Sequence, residues 1–148
     1  MGAPPLQANL SYAQSKLADL MLTRQLADIA AERGWNLLST GAHPGYTRTN
    51  LQTAGASLGR DRPKRSLLNS FTVLPSQLPE QGAEPLLYAA ADPGAVPGGY
   101  YGPGGRFGLV GPATPARITR RALDPVANAR LWATAEQLTG VSLLAAVS

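Results

Sequence analysis

The chain has 148 residues, of which 44% are hydrophobic and 15% charged, and it carries a net charge of +4. That length suits one globular domain with a core of its own. The absence of cysteine excludes a disulfide framework and a thiolate metal site, and no metal centre is expected. No apolar run approaches the ~18 residues of a membrane span, and the N-terminus lacks a signal peptide's apolar core. A cytoplasmic protein is the expectation.

Two basic clusters, Arg60-Asp61-Arg62-Pro63-Lys64-Arg65 and Arg117-Ile118-Thr119-Arg120-Arg121, contribute much of the positive charge. Neither interleaves aromatics for base stacking, so they read as solvated loop charge and no nucleic-acid partner is expected.

Residues 1–9 carry no capping or strand signal and read as a loop. From residue 12 to 33 the apolar side chains Leu17, Leu20, Met21, Ile29 and Ala30 recur at helical spacing, with Leu22 and Leu26 widening the stripe. Gly34 supplies the stop. Tyr12 and Lys16 stand one turn apart at the head of this helix, so phenol and ammonium project from one face. A phenol ionises too weakly at neutral pH to give up its proton readily, and a nearby ammonium favours the phenolate. Such a pair suits proton exchange with a carbonyl or alcohol oxygen.

Residues 35–42 read as a strand with Leu37 and Leu38 buried. The turn His43-Pro44-Gly45 follows at its carboxyl end, where open α/β sheets bind their ligands. His43, the sole histidine, has no carboxylate near it in sequence and reads as fixing the turn by a hydrogen bond. Residues 46–76 form the expected substrate loop or lid, whose apolar side chains suit either a lipophilic substrate or a local core. The next helix opens at Pro79, passes through Leu86 and Leu87, and is expected to kink at Pro85. Residues 98–102 read as a short buried strand. The last helix is marked by Asp124 as N-cap, Pro125 at the first position and Gly140 as terminator, with Leu131, Ala135 and Leu138 as its apolar stripe.

Two glycine patterns fail as phosphate cradles. In Thr40-Gly41-x-x-x-Gly45, Thr47 stands where the last glycine belongs and Pro44 removes an amide donor. Gly102-x-Gly104-x-x-x-Gly108 is not followed by a helix signal.

The run Tyr12-Ala13-Gln14-Ser15-Lys16-Leu17-Ala18-Asp19-Leu20 resembles the active-site helix of the short-chain dehydrogenase/reductase family. His43-Pro44-Gly45-Tyr46-Thr47-Arg48-Thr49, Pro79-Glu80-Gln81-Gly82-Ala83 and Gly98-Gly99-Tyr100-Tyr101-Gly102-Pro103 continue the resemblance in the same order. The branch of retinol dehydrogenases and protochlorophyllide reductases is the most similar. The family's pyrophosphate loop, Thr-Gly-x-x-x-Gly-x-Gly, precedes the Tyr and has no counterpart in the eleven residues before Tyr12.

The resemblance implies an α/β fold: the C-terminal part of a Rossmann-like doubly wound parallel sheet, lacking the N-terminal dinucleotide-binding half. Residues 1–148 are then a single partial domain. It implies NAD or NADP as cofactor, with weak or no binding by this chain alone. Tyr12 would be the proton donor or acceptor, and Lys16 its activator and the ligand of the nicotinamide ribose. Pro44, Gly45, Thr47 and Thr49 would seat the nicotinamide. The substrate would be a small carbonyl compound or alcohol, and the 12–33 helix a surface for a homo-oligomer. The alternative is a non-catalytic fragment acting as an interaction or dimerisation module.

Overall fold

The computed structural model describes residues 5–47 and 75–143. Among them are three α-helices, α1 (Pro5–Arg33), α2 (Pro79–Ala91) and α3 (Pro125–Thr139). Three short strands accompany them, β1 (Gly41–Ala42), β2 (Tyr100–Pro103) and β3 (Ala113–Pro115), in the order β1-β2-β3. Donors advance from Gly41 to His43 as acceptors advance from Gly99 to Tyr101, so β1 and β2 run parallel. Parallel neighbours need a crossover, and α2 lies in that connection. β3 pairs antiparallel with β2 through Tyr101–Pro115, Gly102–Thr114 and Pro103–Ala113.

The described residues divide into two compact units. Those of the first fall within Pro4–Gly41, Pro93–Tyr100 and Arg117–Ser148; those of the second fall within Ala42–Asp92 and Tyr101–Ala116.

In the first unit α1 begins at Pro5, so part of the stretch expected to be a loop is helical. Proline suits a first helical position, where its missing N–H has no partner to lose. Among the described residues of α1 the buried ones, Leu20, Ala27, Ile29 and Ala30, lie in its second half, and Gly34 ends the helix at φ +63°. The strand expected over 35–42 shrinks to two residues, and Leu37 and Leu38 are exposed. The cause lies across the ladder. Upstream of Gly98 the facing chain is in turns, one of them closed by Gly99 N–H on the Val96 carbonyl, so pairing opens only where Gly98 N–H donates to the Ser39 carbonyl.

At α3 the expected punctuation holds. The Asp124 carboxylate accepts from Val126 N at 3.0 Å and Ala127 N at 3.2 Å, and Gly140 closes the helix at φ +68°. Its apolar stripe differs from expectation: Leu138 is exposed, whereas Asn128 is buried and donates to the Ala122 carbonyl.

The second unit packs α2 by small residues. Gly82, Pro85 and Ala89 form its buried stripe, and Leu86 and Leu87 face outward. The helix runs unbroken through Pro85. Tyr101 on β2 is buried against Tyr88, their ring centroids 4.8 Å apart, a tilted aromatic contact. β3 went unread in the sequence, since Ala-Thr-Pro between prolines offers no alternation.

Candidate active site

Tyr12 and Lys16 belong to the first unit. They stand on the exposed early turns of α1, with 64% of Tyr12 open to solvent. Helix geometry brings the Lys16 ammonium over the Tyr12 ring at 5.9 Å from its centroid, a cation–π distance. The nearer partner of Lys16 is Asp19, one turn on, at 2.9 Å. The Asp19 carboxylate, by hydrogen bond and by charge, holds the Lys16 ammonium above its ordinary pKa. Lys16 is therefore a permanent cation at physiological pH, with two of its three N–H donors left for other partners.

Pro44, Gly45 and Thr47 belong to the second unit, in the turn after β1. This turn is built from backbone rather than side chains. Gly45 adopts φ +64°, and a Cβ there would strike the Leu109 carbonyl, so only glycine fits. Its N–H donates to His43 Nδ1 at 3.3 Å, and the next amide, Tyr46 N–H, donates to the Leu109 carbonyl at 2.8 Å. His43 thus fixes the turn as expected, and accepting at Nδ1 requires the neutral ring. Burial pushes its pKa below the ordinary histidine value, which agrees. The imidazole packs where a side chain on Gly102 would stand, so β2 must carry glycine opposite it.

The Pro44 carbonyl accepts twice, from Thr47 Oγ1 at 2.8 Å and from Gln77 Nε2 at 2.9 Å. The Thr47 hydroxyl thus donates its proton within the turn itself. Gln77, which carries no signal in the sequence, is 4% exposed. Its partners lie 33 and 34 residues away, and nothing in Ser76-Gln77-Leu78 points to them.

Thr49 and most of the expected 46–76 loop lie outside the described residues. Among the described residues no cluster could hold a metal ion, and no helix is long and apolar enough to cross a membrane.

The N-termini of α2 and α3 differ in their partners. At α2 the Gln81 side chain accepts from Leu78 N–H, and at α3 the capping amides already serve a carboxylate that would repel phosphate.

No family model matches the chain. It is 37% identical over 130 residues to polyprenol dehydrogenase of Mus musculus and 29% identical over 130 residues to retinol dehydrogenase 14 of the same organism. Each alignment covers 88% of this chain and 35% of the relative, in its C-terminal part. These relatives are of the short-chain dehydrogenase/reductase family, and the chain is similar to their C-terminal part. It spans about a third of the length of the relatives it matches. A crystal structure of an uncharacterized protein from Mycobacterium paratuberculosis superposes with a TM-score of 0.62 at 34% identity, over 90% of this chain and 40% of that one. The fold is of the mixed α/β, Rossmann-like class that the sequence implies.

Proposed function

We propose that the chain carries the proton-transfer and nicotinamide-seating residues of an NAD(P)-dependent oxidoreductase acting on a carbonyl or alcohol. The observation that supports this most is the Tyr12–Lys16 pair, a phenol and a permanent ammonium on one exposed helix face, in a chain whose relatives are named as dehydrogenases. When bound, NAD or NADP supplies or takes up the hydride. The Tyr12 hydroxyl gives a proton to the substrate oxygen in reduction and takes one in oxidation. Lys16 activates it, since an ammonium favours negative charge on a neighbouring oxygen, and its remaining donors hold the nicotinamide ribose. Pro44, Gly45, Thr47 and Thr49 seat the nicotinamide, and residues 46–76 cover the substrate. A lipophilic alcohol is the substrate class, in line with the retinol and polyprenol of the relatives' names. A cytoplasmic location and a single partial domain over 1–148 belong to the same reading.

The test is Tyr12→Phe in a form of the protein that turns substrate over. Turnover should fall by at least ~10², the usual worth of general acid–base catalysis, with the cofactor dissociation constant nearly unchanged. Normal turnover by that variant removes the reading.

A second reading is an interaction or dimerisation module working through α1; at α3 the N-terminal amides that a phosphate would use already serve Asp124. An open groove of about 360 Å³ between α1 and α3, lined by Leu17, Met21, Leu131, Arg121 and Arg130, is the surface it would use. Micromolar NAD(P)H binding by the 148-residue chain, seen in a fluorescence titration, would count against this module.

A further inference from the structure

We propose that Gln77 is the positioning residue of the Pro44–Thr47 turn, holding it in the shape that meets the nicotinamide; this rests on the function proposed above. Three contacts converge on Gln77. Its Nε2 donates to the Pro44 carbonyl at 2.9 Å, and its Oε1 accepts from Gly111 N at 3.0 Å. Its own backbone N–H donates to the Tyr46 carbonyl at 3.0 Å, within a parallel bridge between Thr47 and Gln77.

These bonds leave the amide one orientation. Rotating it by half a turn would set oxygen against the Pro44 carbonyl and N–H against the Gly111 amide. Both ends of a buried side chain are therefore committed, one to the turn and one to the hairpin loop between β2 and β3. That loop is also the partner of the turn through Tyr46 N–H and the Leu109 carbonyl. Proline fixes its own φ, but glycine is free in both halves of φ, so the Gly45 side of the turn has little intrinsic restraint. Gln77 and Leu109 supply that restraint from outside the turn. Gln77 touches no reacting atom; its effect on a ligand passes through the Pro44 carbonyl and the amides that follow it.

The chemistry of the amide provides the test. Gln77→Leu keeps the volume and removes both bonds. Gln77→Glu keeps the shape, but its carboxylate faces the Pro44 carbonyl with no proton to give. Once protonated, the introduced carboxyl donates to Pro44 through O–H and accepts from Gly111 through its other oxygen, restoring both bonds. Burial beside a carbonyl raises the pKa of such a group, so the restoration falls in an accessible pH range.

In a form of the protein that turns over, Gln77→Leu should raise the KM for the nucleotide ~10-fold or more, as expected for two lost hydrogen bonds, while kcat changes far less. Amide exchange at Gly111 should quicken by a similar factor, with or without nucleotide. Gln77→Glu should match Gln77→Leu at high pH and return toward the parent KM and exchange rate on acidification; Gln77→Leu should not recover. Unchanged KM in Gln77→Leu, with Tyr12→Phe still inactive, overturns the positioning role and leaves the proposed function standing. The positioning role also falls, again without touching the proposed function, if Gln77→Glu shows no recovery at low pH. Normal turnover by Tyr12→Phe overturns the proposed function and this role together.

Discussion

The Tyr12–Lys16 face and the Pro44–Thr47 turn solve the placement of polar groups in opposite ways. On α1 the chemistry sits in side chains, and the helix merely spaces them. Tyr12 and Lys16 are exposed, and the fixed partner of Lys16 is another exposed side chain, Asp19. In the turn the chemistry sits in backbone groups, which His43, Gln77, Leu109 and two obligatory glycines hold from several sides. Substitutions on the helix face should therefore alter chemistry with little loss of fold, and substitutions around the turn should do the reverse.

The largest effect that sharpens this contrast is expected from Gly102→Ala. The new methyl would land on His43 Nε2, so either the imidazole or β2 must shift. Overpacking of this kind costs about 1–3 kcal/mol, and displacing the ring would add about 1 kcal/mol for the Gly45 N–H bond to Nδ1. Urea unfolding should show the lowered midpoint. A variant as stable as the parent would mean that the imidazole is not confined, and the turn would lose its claim to rigidity.

A smaller effect should come from pH. Burial depresses the His43 pKa, so the folded protein takes up this proton less readily than the unfolded chain, whose histidine titrates near ~6.5. Unfolding then binds protons, and stability rises with pH across that interval. The contribution is complete above ~6.5 and is lost as pH falls through the depressed folded value. Protonation also turns Nδ1 from acceptor to donor, which removes the bond from Gly45. Unfolding midpoints taken at stepped pH should fall below neutrality, and His43→Asn should flatten that part of the profile. Since His43 is the only histidine, an unaltered profile would sink the assignment.

The contrast also explains what the sequence revealed. Regular elements announce themselves locally: Asp124, Pro125 and Gly140 bracket α3, and the Tyr-x-x-x-Lys spacing defines a face as soon as a helix is assumed. Gly45 and His43 were legible because a Pro-Gly turn next to histidine has few other uses. Gln77 was not legible, because its partners come from segments more than 30 residues distant and a lone glutamine carries no pattern. Leu37 and Leu38 misled for a related reason. Their apolarity suits a buried strand, but the segment that would face them, far along the chain, is folded into turns up to Gly98 and gives that strand no ladder. Asn128 reverses the usual expectation, a polar side chain buried because the Ala122 carbonyl needs its N–H, while Leu138 one helix face away stays in solvent.

The smallest structural effect should come from Asp19→Asn, and it bears directly on the helix face. The Lys16–Asp19 pair is solvent-exposed, and pairs of that kind contribute little to stability. The unfolding midpoint should therefore not move measurably. The ammonium is another matter. The carboxylate is the main cause holding the Lys16 pKa up, by hydrogen bond first and by charge second. Its replacement by a neutral amide should let that pKa fall, which an NMR titration of the lysine side chain would report. It should also release the ammonium from its 2.9 Å partner and leave the Tyr12 ring as its remaining neighbour on that face. Where the protein turns over, the pH dependence of kcat should shift while the fold stays as it was. Gly102→Ala predicts the mirror image: a weaker fold with the pH dependence of kcat in place. If Asp19→Asn instead lowers stability and leaves the lysine titration alone, the division between a face of side chains and a turn of backbone is wrong. The ion pair would then be part of what holds α1 in place.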